Sequence, residues 1–189
     1  MRITTTQVTT PEDTAAMLSI RRAVFEHEMK IKLDSLKPSG NGDITYLLAR
    51  VGPQQEPVGC LCVLDTTNNH QLHDELGLKF DPQARVARYT HLAVLKPYRG
   101  MNIPLAMMLE AHRSVIVPRR FDYTWLLFDV ERATSSFLSR QLGFTLLPQT
   151  FVSEYGRRCA LVRDENVPQA RQVIDQAEKY LRQCETIAA

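Results

Sequence analysis

Along the chain the apolar positions change period several times, and each change marks an element. "MRITTTQVTT" is rich in β-branched residues and reads as a first strand. Pro11-Glu12-Asp13 then opens a helix, with Thr10 as N-cap and Pro11 at the first helical position. Ala16, Leu18, Ile20, Val24 and Phe25 carry that helix to about Met29. "KLDSLKPSGNGD" is a loop by its Gly, Ser, Asn and Pro content. "ITYLLARVG" and "PVGCLCVLDTT" flank a short Pro- and Gln-containing turn, which predicts an antiparallel hairpin. "NNHQLHDELGLKFDPQAR" is a polar insertion with room for one short helix. "VARYTHLAVL" is the next strand, and Pro104 to about Val117 the next helix. "YTWLLFDV" is almost continuously apolar and fits a central strand buried on both faces. "ATSSFLSRQLGF" reads as a short helix closed by Gly143, and "RRCALVRD" as a last strand after a turn at Gly156. From Val167 onward, Ala170, Val173, Ile174, Ala177, Leu181 and Cys184 form one helical stripe, for packing on the body or for a partner.

A chain of 189 residues, 44% hydrophobic and 23% charged, is long and apolar enough for one packed domain. Residues 1–166 are expected to form its body and 167–189 a C-terminal amphipathic helix on that body. A net charge of +2 gives no argument for nucleic acid. The basic residues are clumped, however, at Arg85 and Arg88, Lys96 and Arg99, Arg119 and Arg120, and Arg157 and Arg158. Four cysteines without a C-x-x-C pair are expected to be reduced core residues of a cytoplasmic protein; Cys60 and Cys62 share one strand face. The polar N-terminus predicts no signal peptide, and no apolar run is long enough to span a bilayer. His70 and His73 stand at i and i+3, but no other ligand spacing supports them, so no metal is expected.

The element order, with "LAVLKPYRGMNIPLAMMLEA" at its centre and "ATSSFLSRQLGF" after it, resembles the GCN5-related N-acetyltransferase (GNAT) superfamily. The first stretch is similar to that superfamily's acyl-CoA motif, the second to its later helix ending in Gly-Phe. The resemblance implies an α/β (α+β) fold: a mixed, mostly antiparallel central sheet with a splayed strand pair, flanked by helices, plus the extra C-terminal helix. It also implies an acyltransferase working by direct aminolysis of a thioester. Two departures stand out. The superfamily's phosphate loop has glycines where this chain has Asn102 and Pro104. Asn can adopt a left-handed conformation, but Pro104 has no N–H to offer a pyrophosphate. Many members also place a Tyr, as acid for the leaving thiolate, where this chain has Ser139, a poor acid.

Both departures resemble a subgroup, the bacterial long-chain N-acyl amino acid synthases and the related acyl-homoserine lactone synthases, which take the acyl chain from acyl carrier protein. That donor is a phosphopantetheine thioester with one phosphodiester and no pyrophosphate. "RRAVFEHE" is similar to the subgroup's early helix through Arg21, Val24, Phe25 and Glu28, and "RYTHLAV" to one of its strands. Lactone synthases carry a catalytic Glu at the position of Arg88 and an Arg at that of His91, which speaks against lactone formation here.

From this resemblance follow the candidate residues. Leu92, Ala93 and Val94 would pair with the thioester arm, and the Val94 N–H, or a neighbour, would polarise its carbonyl. Arg99, Gly100, Met101, Asn102 and Ile103 would hold the phosphate. Candidate bases are Glu26, Glu28, His91, Asp129 and Glu131, with Thr90 beside His91. His91 suits the task by its near-neutral pKa, but strict alternation turns it away from the cleft if Thr90 and Leu92 face it, unless a bulge re-aims it. Arg21 and Phe25 would bind the acceptor amino acid, such as tyrosine, with Asp129 and Glu131 at the end of the central strand. Lys96, Arg99, Arg119 and Arg120 would form a basic patch for the acidic carrier protein. Two other readings stay open: an acetyl-CoA N-acetyltransferase of a small amine or peptide, and a catalytically degenerate acyl-thioester-binding module.

Overall fold

The computed structural model describes residues 2–32, 42–133, 141–153 and 156–187. Among them are seven strands: β1 (Ile3–Gln7), β2 (Ile44–Val51), β3 (Glu56–Asp65), β4 (Val86–Val94), β5 (Tyr123–Asp129), β6 (Thr145–Ser153) and β7 (Gly156–Asp164). The helices are α1 (Pro11–Arg21), α2 (His70–Glu75), α3 (Ile103–Ala111), α4 (Val130–Ala133) and α5 (Pro168–Ile187). The strands form one sheet in the order β1-β2-β3-β4-β5-β7-β6. Every neighbouring pair is antiparallel except β4 and β5, which run parallel.

α1 begins as its sequence predicts. Thr10 accepts a hydrogen bond from the Asp13 N–H at 3.1 Å, and Glu12 and Asp13 sit in the first turn, where negative charge opposes the helix dipole favourably. The helix then widens into a π-helical turn, Arg22–Glu28, in which the Met29 N–H reaches the Val24 carbonyl at 3.0 Å. Such wide turns shift the side chains that follow around the helix, and they are frequent at functional sites. Met17, Ile20, Val24 and Phe25 pack with Leu48, Cys60 and Ala93 on one face of the sheet. Lower on the same face, the insertion lays Leu78 and Phe80 against Val86 and Trp125.

The opposite face is covered by α3 and α5. Ile103, Met107 and Met108 of α3 are buried there, together with Ile174 and Ala177 of α5. Gly59 on β3 lets α3 approach closely. A Cβ at that position would meet Ile103 Cγ2 at 3.0 Å and Met107 Cε at 3.2 Å. The close approach brings the start of α3 to the end of β4.

β6 was not expected from the pattern. Pro148 interrupts it, and the strand pairs only with β7, at the sheet edge. Pro is tolerated in such a strand because its missing N–H is not needed on the solvent side. The register shifts between Leu146 and Thr150 to absorb it. Most of the helix expected over "ATSSFLSRQLGF", including Ser139, lies outside the described residues.

Candidate active site

β4 and β5 are paired over Val86–Tyr123, Ala87–Thr124 and Arg88–Trp125, and the recorded ladder ends there. Beyond Arg88 the two strands diverge. On its other side β4 stays bound to β3, but the register jumps between Thr90–Cys62 and Ala93–Cys60. Two residues, His91 and Leu92, therefore face one, and His91 adopts φ +52°. This is a β-bulge, and it resolves the alternation problem. Leu92 packs into the core of the α3 face, whereas His91 meets Phe25 of the first helix at 6.2 Å between ring centroids, edge to face. At the top of the strand the Leu95 N–H donates to the Val58 carbonyl at 2.9 Å. Backbone groups alternate along a strand, so the Val94 N–H points to the opposite side, into the gap left by β5.

The turn after β4 is held from two sides. The Tyr98 hydroxyl donates to Glu56 Oε2 at 2.6 Å, and Arg99 Nε donates to the Val94 carbonyl at 3.0 Å. Gly100 has φ +87° and Asn102 φ +58°, so both left-handed positions of a phosphate-type turn are present although only one is glycine. Asn102 is the N-cap of α3, and Pro104 lies in the first turn. The first N–H groups of a helix have no partner within it, so those around Ile103 are available to an anion. The guanidinium of Arg99 is engaged by Glu28 in a two-pronged ion pair, at 2.5 and 2.6 Å. This bond holds the Glu28 carboxyl below its ordinary pKa. Glu28 is thereby tied to the turn after β4, and its lowered pKa makes it a weaker base than a free carboxylate.

On the α1 side of the bulge the structure gathers Arg21, Phe25, Tyr46, Cys62, Arg88 and His91. Arg21 is buried, with its guanidinium 5.9 Å from the Tyr46 ring centroid. Arg88 lies 4.8 Å over the Trp125 ring. Burial, and then the positive charges of Arg21 and Arg88, lower the His91 pKa to about 4. The imidazole is therefore neutral at pH 7, and its Nδ1 is buried without a hydrogen-bond partner. Burial pushes the Cys60 and Cys62 thiols up to about 12, so neither is a thiolate nucleophile.

The other expected residues divide. Thr90 is half-buried on β4, and Glu26 half-buried in the π-helical turn. Asp129 ends β5 and accepts from the Glu131 N–H at 2.9 Å, turning the chain into α4; Glu131 is exposed. The four basic residues expected to form one patch do not. Lys96 and Arg99 follow β4, while Arg119 and Arg120 precede β5, and the parallel pairing puts those points at opposite ends of the sheet. Nine residues of strand separate them, about 26 Å. Arg119 reaches Thr45 Oγ1 at 3.0 Å, at that far end. Sequence reasoning missed Arg88 and Tyr46 as parts of the site. Alternation from Thr90 back to Arg88 was the available signal for the first, while Tyr46 is brought in only by the β2–β3 pairing with Cys62.

A mostly antiparallel sheet that parts between its one parallel pair, with a bulge on the inner strand and a left-handed turn into the next helix, defines the fold of the GCN5-related N-acyltransferases. Solved structures of that type superimpose on the chain. An N-acyl amino acid synthase from uncultured soil microbes, FeeM, is 15% identical, with 94% of this chain and 97% of that chain covered and a TM-score of 0.65. The CoA-dependent acyl-homoserine lactone synthase BjaI is 18% identical, with 90% and 83% covered and a TM-score of 0.64. An acyl-CoA N-acyltransferase from Pseudomonas aeruginosa is 16% identical, with 86% and 98% covered and a TM-score of 0.61. At these identities the likeness is one of fold. No family model and no curated protein matches the sequence. Among the described residues no helix is long and apolar enough to cross a membrane, and no cluster of His, Cys, Asp and Glu could hold a metal ion.

Proposed function

We propose that the protein is an N-acyltransferase that moves a long-chain fatty acyl group from the phosphopantetheine thioester of acyl carrier protein to the amino group of an amino acid such as tyrosine. The observation that carries this reading is the opened edge of β4 beyond Arg88, with the Val94 N–H directed into the gap and the left-handed Gly100–Asn102 turn above it. A pantetheine arm would lie along that edge as an added strand, and its phosphate would meet the start of α3. The carbonyl oxygen, negative in the tetrahedral intermediate, would accept from the Val94 N–H. The amine nitrogen bonds to the carbonyl carbon, the C–S bond breaks, and the thiolate takes, through water, the proton that the attacking nitrogen gives up. The ammonium proton would leave to solvent water, and His91, neutral but no stronger a base than a carboxylate at a pKa of about 4, would orient that water rather than keep the proton. Pro104, with no N–H, favours a donor with one phosphodiester over one with a pyrophosphate.

The test is mass spectrometry of lipophilic extracts from bacteria expressing the chain, followed by turnover of purified protein with long-chain acyl carrier protein, long-chain acyl-CoA and acetyl-CoA. N-acyl amino acids formed from the carrier protein are the expected product. Turnover with acetyl-CoA alone would replace this reading with an ordinary N-acetyltransferase. Absence of turnover with bound lipid would leave a binding module.

A further inference from the structure

We infer that the cavity between α2 and the start of β4 is a second binding site, separate from the acyl-transfer cleft, for a small primary amine that carries an aromatic ring. The inference stands apart from the acyl-transfer reading, because this cavity lies at the Val86 end of β4 and the cleft at the Val94 end.

The insertion between β3 and β4 leaves a cavity of about 310 Å³ against the sheet, at the small end of the range for small-molecule sites. Leu78, Ala84 and Val86 give it apolar, buried walls. His73 and Phe80 add two rings. They meet edge to face at 5.0 Å between centroids, and Phe80, itself half-buried, leans on Tyr123 at 5.1 Å. Burial, and then the charge of neighbouring His70, lower the His73 pKa, so this imidazole is mainly uncharged at pH 7 and does not repel a cation.

Negative charge reaches the cavity from two separate elements. Asp74 extends from α2 and Asp81 from the loop that leads to β4; both line the cavity and both are exposed. Asp74 counters part of the effect of burial on His73. Burial, and after it Asp164, Asp122 and Asp81, raise the pKa of the Tyr123 phenol behind Phe80, so several carboxylates act on this end of the sheet. Lys79 also lines the cavity, but it is exposed, and one ammonium does not balance Asp74 and Asp81. A single aromatic ring fits the apolar part beside Phe80 and His73, and a short carbon chain brings its ammonium to the two carboxylates and the Phe80 ring. A carboxylate in the same place would meet like charge.

The chain has one tryptophan, and Trp125 reports on this cavity. Its ring lies 6.0 Å from that of His73, and its indole N–H donates at 3.1 Å to Thr66 Oγ1, the hydroxyl that His73 Nε2 reaches at 3.2 Å. The experiment titrates phenethylamine and hydrocinnamate, which share a ring and a carbon chain and differ in the sign of their charge, and follows Trp125 emission at pH 7. The amine is expected to change the emission saturably with a Kd of about 1 mM, and the acid to leave it unchanged. Asp74→Asn together with Asp81→Asn keeps the shape, removes the charge and should weaken the amine by about 5-fold or more. Ala84→Leu fills the cavity and should abolish the response. His91→Asn lies in the cleft and should leave the response intact. No response, an equal response to both ligands, or an affinity unchanged in the double Asn variant overturns the inference. Loss of the response in His91→Asn would put the amine in the cleft and overturn it as well.

Discussion

Replacing His91 by Asn isolates one half-buried titration. Asn tolerates the left-handed backbone at this position, so the bulge is preserved. In the folded protein His91 binds a proton only near pH 4, because burial and then the charges of Arg21 and Arg88 oppose it. Unfolded, it binds one near pH 6.5. Between those values the unfolded state holds the extra proton, so stability falls as pH drops from about 6.5 to about 4 and levels off below. The full effect is about 3 kcal/mol, and at pH 4.5 about 2.5 kcal/mol of it is gone; partial exposure of the ring makes both figures ceilings. His91→Asn removes this loss. The assay is urea denaturation of both chains at pH 7 and pH 4.5, read as the difference between their stability changes. His73, whose pKa burial also lowers, titrates in both chains and cancels. The wild type should lose more than the variant by at least about 1 kcal/mol. Equal losses would refute a half-buried His91 held neutral by burial and the two arginines.

Three further outcomes are expected. Glu28→Gln releases Arg99 for the donor phosphate and should lower the donor KM a few-fold at low salt, an effect that fades at high salt as exposed charges are screened; a higher KM would mean that Glu28 helps to bind the donor. Thr66→Val leaves the Trp125 indole N–H and the His73 Nε2 without their shared hydroxyl partner and should cost about 2 kcal/mol or more in urea denaturation, with Thr66→Ser close to neutral. Asn102→Gly with Pro104→Gly restores the missing N–H and should tighten coenzyme A binding, measured by calorimetry, more than it improves carrier-protein use; equal gains for both donors would refute the single-phosphate reading.

By itself the sequence determined most of the local structure. Thr10, Pro11 and the two acids behind them specify the start of α1, two apolar runs flanking a Pro- and Gln-containing turn specify the β2–β3 hairpin, and the apolar run of β5 specifies a central strand, buried on both faces over Thr124, Trp125 and Leu126 and half-buried beyond. These are short-range properties of backbone, caps and period. It also pointed to the turn after β4, because Asn102 is one of the few residues able to replace glycine at a left-handed position. What it left out depends on contacts between distant residues. β6 is held only by its edge pairing with β7, which overrides the proline in its middle. The expected basic patch failed because residues near in sequence to two neighbouring parallel strands lie at opposite ends of them. The bulge at His91 needs the mismatch between β3 and β4, and the pairing of Glu28 with Arg99 joins positions 71 residues apart. The charges were visible in the chain, but only the packed sheet decides which of them share a pocket, because burial and distance set what one charge does to another.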